Sequence, residues 1–239
     1  MDSQLRTADS QVSNETSLDA LKWLALALMA ISHLLLVWSG ISREIGVWVG
    51  RPVLPLLALI IALRLNRERA SGYIVRLLGW GLIAQPVYQA LLVNVIDRLN
   101  IMFTLAAGVA IWMAADRRQW AALIAGIVGL LYFQDRMDFG GLVPVAIALA
   151  VPLARRTPIA SLLLLGLAAS LSPLSTNGND WKEVALSFVG GLSAIAAYWF
   201  ILRVNIRVQR QPGWFFYAFY PAHLLLIHMI FGPYTSLTR

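Results

Sequence analysis

Three histidines and one arginine stand where their side chains are expensive to keep. His33 lies inside LALALMAISHLLLVW (24–38), His223 and His228 share FFYAFYPAHLLLIHMI (215–230), and Arg51 sits in VWVGRPVLPLLALII (47–61). Each run reads as membrane-buried, where an ionisable group costs about 2.5–3.5 kcal/mol at a helix centre and usually marks function. Counting at 1.5 Å per helical residue, His33 and Arg51 both fall about 10 Å below one surface, on consecutive antiparallel segments, so they can meet. A desolvated imidazole beside a guanidinium stays neutral and can accept a proton, while the guanidinium can stabilise a developing oxyanion in a dry site. His33 could equally act as a nucleophile. The structural alternatives are a histidine that satisfies a neighbouring helix and an arginine that snorkels to the interface.

Other polar groups share the apolar runs. His223 falls near mid-membrane and His228 further out, beyond Pro221, whose kink frees a carbonyl and could open room for a ligand. GWGLIAQPVYQALL puts Gln85, Tyr88 and Gln89 on one helical face, although Tyr88 also suits an interfacial aromatic belt. RLNIMFTLAAG offers Asn100 near the entrance of the next run. Gln85, Tyr88, Asn100, His223 and His228 are thus candidates for lining a pocket. The acidic residues all fall at run ends, in loops or in the tail, which argues against a proton-coupled transporter. His223 and His228 are off the i, i+4 spacing of a metal pair, so no metal site is expected. No cysteine is present, so thiol chemistry is excluded.

The elements that must position these groups follow from composition. Apolar residues make up 59% and charged residues 13% of the chain, against about 45–50% and 25% in soluble domains. The expectation is an all-α, polytopic transmembrane helical bundle of about nine spans (8–10). They run at about 20–38, 45–63, 73–92, 100–114, 120–134, 140–154, 157–171, 184–202 and 214–231. A polar, mobile cytoplasmic tail (1–17) precedes a single membrane domain (18–232), and a short tail (233–239) ends the chain. Thirteen Lys and Arg residues fall in the tail and alternate loops, five fall on the opposite side, and Arg51 lies within a span. The positive-inside rule then puts the N terminus in the cytoplasm. It also accounts for the basic charge without nucleic acid, for which no binding motif appears.

The runs ALKWLALALMAISHLLLVW, GRPVLPLLALIIALRLNR, RLLGWGLIAQPVYQ, NIMFTLAAGVA and FFYAFYPAHLLLIHM resemble, in that order, the TraX family. The resemblance covers nearly the whole chain and is strongest up to about residue 110 and after 213. It rests on the combination of an early-span histidine, GRxxxPL and FYxxHL. It implies a bacterial inner-membrane, multi-pass acetyltransferase that moves acetyl from acetyl-CoA to the N-terminal amine of a conjugative pilin, related to histidine-dependent membrane acyltransferases. By position it implies roles for His33, Arg51, Pro55, Gln85, Asn100, Tyr220 and His223. The implied partners are a pilin subunit, the lipid bilayer and other membrane proteins of the conjugation machinery. Arg64, Arg67, Arg69 and Arg76 are the candidates for the CoA phosphates, although topology alone also explains them. Family members commonly carry an aspartate directly before the first histidine, where this chain has Ser32, and a phenylalanine where it has Leu57. If that aspartate orients the ring, another group does so here. The competing expectations are a non-catalytic pilin maturation or assembly factor, an acyltransferase with another acceptor, and a small-molecule transporter.

Overall fold

The computed structural model describes residues 2–38, 43–91, 98–137, 140–176, 181–204, 206, 208, 209 and 211–232. Among these the fold is helical, with one isolated bridge between Leu99 and Met137 in place of any strand. The helices are α1 (Asp2–Val37), α2 (Arg43–Gly50), α3 (Val53–Arg64), α4 (Ala70–Leu91) and α5 (Ile101–Asp116). They continue with α6 (Trp120–Phe133), α7 (Leu142–Ala154), α8 (Pro158–Thr176), α9 (Trp181–Val204) and α10 (Gly213–Phe231).

Each expected apolar run coincides with helix, with two differences. The second run is broken into α2 and α3 at Arg51 and Pro52, because proline lacks the N–H that would continue the ladder and itself caps α3. The polar stretch ahead of the first run is helical too, with α1 running back to Asp2. No glycine or proline precedes Gly40, so nothing in the sequence ends the helix before the span begins. At 1.5 Å per residue α1 is about 54 Å long, well beyond a hydrocarbon core of about 30 Å. The C-terminal tail 233–239, Arg207 and Arg210 lie outside the described residues.

Four stretches are long and apolar enough to cross a membrane: Ser17–Val37, Ile45–Arg64, Ser187–Val204 and Gly213–Phe231. Ile101–Asp116, Leu142–Ala154 and Pro158–Leu171 are apolar but shorter. The chain is thus a helical membrane protein, with fewer full-length candidate spans among the described residues than the nine expected. Length accounts for part of the difference, since the thirteen residues of α7 rise only about 20 Å, whereas α4 is long enough at 22 residues but carries Arg76, Gln85 and Gln89.

α1 packs on α2, α3 and α10, α4 on α5 and α10, and α8 on α7 and α9. The α8–α9 crossing is close because both sides are glycine. A Cβ built on Gly166 would stand 2.9 Å from the Gly191 Cα. One end of the bundle gathers the basic turns. Asp19 of α1 is bonded by Lys22 (2.9 Å) and Arg64 (3.0 Å), and Arg67 pairs with Asp116. Arg155 donates to the Leu65 carbonyl and Arg117 to that of Arg67. Turns that charge counting assigns to one side do lie together.

Candidate functional site

The adjacency of α1 and α10 brings His33 and His223 together across 190 residues of sequence, with Nδ1 of His33 2.9 Å from Nε2 of His223. The rings are nearly parallel, 5.1 Å apart at 21°. Phe219, one turn earlier on α10, stacks on His223 at 5.1 Å and 18°, and its carbonyl lies 2.9 Å from His223 Nδ1. The Tyr220 ring stands edge-on to both, 6.5 Å from His33 and 5.7 Å from His223. His223 and Tyr220 are buried and His33 is partly buried.

Arg51 occupies the turn between α2 and α3 with its backbone pressed on Gly190 of α9, where a Cβ would overlap the arginine's own. Ser32, beside His33, packs on Gly50, beside Arg51, and its hydroxyl donates to the Gly46 carbonyl at 2.7 Å. His33 and Arg51 therefore sit at one level of the bundle. Ser32 ties α1 to α2. It is His223 that meets the imidazole. A carboxylate at position 32 would have no hydrogen to give the Gly46 carbonyl.

A cavity of about 150 Å³ opens among α1, α3, α4, α5 and α10. At the basic end its lining includes Lys22, Arg64 and Arg76; further in it is apolar, with Leu26, Met29, Leu57, Ile60, Leu77 and Leu105, and it reaches Tyr220. His33 is eleven residues beyond Lys22 on α1, about 16 Å of helix. The cations are held by their surroundings. Lys22 lies 4.6 Å over the Phe216 ring, and Arg76 lies 5.6 Å over Tyr73 while donating to the Gly72 carbonyl. Of the four arginines picked out for CoA phosphates, Arg64 and Arg76 line this cavity. Arg67 is held by Asp116, whose hydrogen bond and charge raise its pKa above the usual value, and it faces a different hollow with Asn66, Trp112 and Arg155. Arg69 lines neither, and its backbone N–H bonds Asn66 Oδ1 at 2.8 Å. Lys22 was missed because a lysine at a span boundary reads only as a topology charge.

Gln85 and Asn100 come together elsewhere. Asn100 caps α5 by accepting from Met102 N–H at 3.0 Å, and its amide donates to the Gly81 carbonyl and to Gln85 Oε1, each at 2.9 Å. Gln85 in turn donates to the Arg98 carbonyl at 2.7 Å. Their capacity is spent on fastening the α4–α5 connection. Tyr88 and Pro55 are buried in the core. His228, partly buried in the last turn of α10, is not among the residues lining the cavity.

A family model for the TraX protein matches residues 17–231, nearly the whole chain. The chain belongs to the TraX family. The match begins at the buried start of the first candidate span and ends with α10, so it encloses His33, the cavity and His223. TraX membership carries a conjugation-related, pilin-associated setting. No curated protein and no solved structure matches the chain.

Proposed function

We propose that this chain is an inner-membrane acetyltransferase that moves an acetyl group from acetyl-CoA to the N-terminal amine of a pilin subunit. The observation that carries the reading is the cavity itself, cationic at one end and apolar within, which reaches Tyr220 beside the His33–His223 pair. With the basic end in the cytoplasm, as the positive-inside rule directs, Lys22, Arg64 and Arg76 face the compartment that supplies acetyl-CoA. Their charges suit the phosphates, and the apolar shaft suits a slender pantetheine arm.

An α-amine has a pKa of about 7.7–8.0 and attacks only when neutral, so a base beside the acyl carbon is needed. His33 supplies it. The amine nitrogen forms the new amide bond, His33 takes the amine's proton, the C–S bond breaks, and the proton passes to the departing thiolate. Arg51, at the same level of the bundle, offers positive charge to the tetrahedral oxyanion. The pilin amine approaches from the end opposite the cavity mouth.

The test is the intact mass of the cognate pilin, co-expressed with the wild-type chain or with His33→Ala at matched membrane levels. We expect one added acetyl group with the wild type and a loss of rate of about 10³-fold or more in the variant. An unmodified pilin with the wild type would sink the acetylase reading and favour an assembly role. Retained pilin binding by His33→Ala separates a lost base from a lost grip.

A further inference from the structure

We propose that His223 is a positioning residue. Anchored on the Phe219 carbonyl, it holds His33 in the tautomer with hydrogen on Nδ1, so that Nε2 is the nitrogen that accepts the proton. The catalytic part rests on the acetyl-transfer reading above; the tautomer itself does not.

The assignment follows from two distances and the valence of a neutral imidazole. A carbonyl oxygen has no hydrogen to donate, so the 2.9 Å contact between Phe219 O and His223 Nδ1 places hydrogen on that nitrogen. A neutral ring carries one N–H, which leaves His223 Nε2 as a lone pair. That lone pair lies 2.9 Å from His33 Nδ1, which therefore carries the bridging hydrogen. By the same count His33 Nε2 is left bare. The chain of donors runs one way, from His33 to His223 to the Phe219 backbone.

The packing fixes both rings in the attitude this requires. The Phe219 ring lies nearly parallel to His223, the His223 and His33 rings meet edge to edge and nearly coplanar, and Tyr220 closes on both edge-on. When His33 Nε2 gains a proton, its Nδ1–H bond to His223 becomes charge-assisted and strengthens as the reaction proceeds. A carboxylate commonly does this for a catalytic histidine by fixing tautomer and orientation. Here a second imidazole, steered by a backbone carbonyl, fills that place. Ser32, where an aspartate could stand, is turned to Gly46.

The test has a spectroscopic and a kinetic arm. Three histidines make ¹⁵N labelling tractable. Magic-angle NMR of the ¹⁵N-histidine full-length chain in proteoliposomes reads each ring nitrogen, with His228→Asn and His223→Gln assigning the signals. We expect His33 to show a protonated Nδ1 and an unprotonated Nε2. The reverse pattern, or protons on both nitrogens, overturns the proposal. In the kinetic arm, His223→Phe keeps a flat ring but removes the acceptor. We expect kcat to fall about 10²–10³-fold with the KM for acetyl-CoA within about two-fold. The amide of His223→Gln can donate and accept, and should recover about a tenth of the wild-type kcat. A rise in KM alone, or no change in either, overturns the positioning role. The expected tautomer in a wild type that acetylates no pilin leaves the ring assignment standing and removes the acetylase reading.

Discussion

Two polar clusters interrupt this apolar bundle, and they treat their hydrogen-bonding capacity in opposite ways. At the α4–α5 connection, Gln85 and Asn100 turn their amides on each other, on the carbonyls of Gly81 and Arg98, and on the N–H of Met102. Between α1 and α10, the histidine pair directs its donors along one line and leaves a lone pair over, near the inner end of a cavity. Both would be expensive if their groups were left unmatched. The first cluster is a fastening whose bonds close on themselves; the second keeps a valence in reserve. Buried polarity alone does not distinguish structure from chemistry. The unspent bond does.

The sharpest way to break this comparison is to fill the cavity while leaving both clusters untouched. Leu77→Trp, on the buried face of α4 that lines it, should reduce acetyl-CoA turnover at least about 100-fold while costing about 1–3 kcal/mol of stability by overpacking. Unchanged turnover in proteoliposomes would detach the cavity from the reaction. Next in size is the mouth. Arg76→Glu should raise the KM for acetyl-CoA about tenfold with kcat unchanged, the signature of lost ground-state binding. An equal fall in kcat would place Arg76 in the chemistry instead. On the other side of the comparison, Asn100→Ala should cost about 1–2 kcal/mol through the lost cap and the lost bonds to Gly81 and Gln85. It should lower the melting temperature in detergent while acetylation per folded molecule holds. The smallest effect belongs to Arg67→Ala. Its pair with Asp116 is exposed and screened by solvent, so the KM for acetyl-CoA should stay within about two-fold.

Hydropathy marked the runs that became helix to within a few residues, and the alternation of basic loops brought Lys22, Arg64, Arg67, Asp116 and Arg155 to one end. Those properties are one-dimensional, so a chain can be read for them. Rotation about a helix axis is not. With apolar residues on every side of α1 and α10, nothing in the order of residues says that His33 faces α10. The amides misled for a related reason. Gln85 and Asn100 look like an unfilled pocket until α4 and α5 are set side by side and each becomes the other's partner. The break at Arg51–Pro52 was hidden because Gly50, Pro52 and Pro55 lie in a stretch apolar enough to pass for a continuous span.

Gly190 is a dimension as much as a residue. Its missing side chain sets how near α9 stands to the Arg51 turn, and that turn is the joint at which α2 hands over to α3. A methyl group there would act as a wedge, levering Arg51 and both half-helices away from α9 without touching either histidine. The seat of the Arg51 turn is thus set from outside it, and a change of one carbon on α9 is enough to alter the gauge.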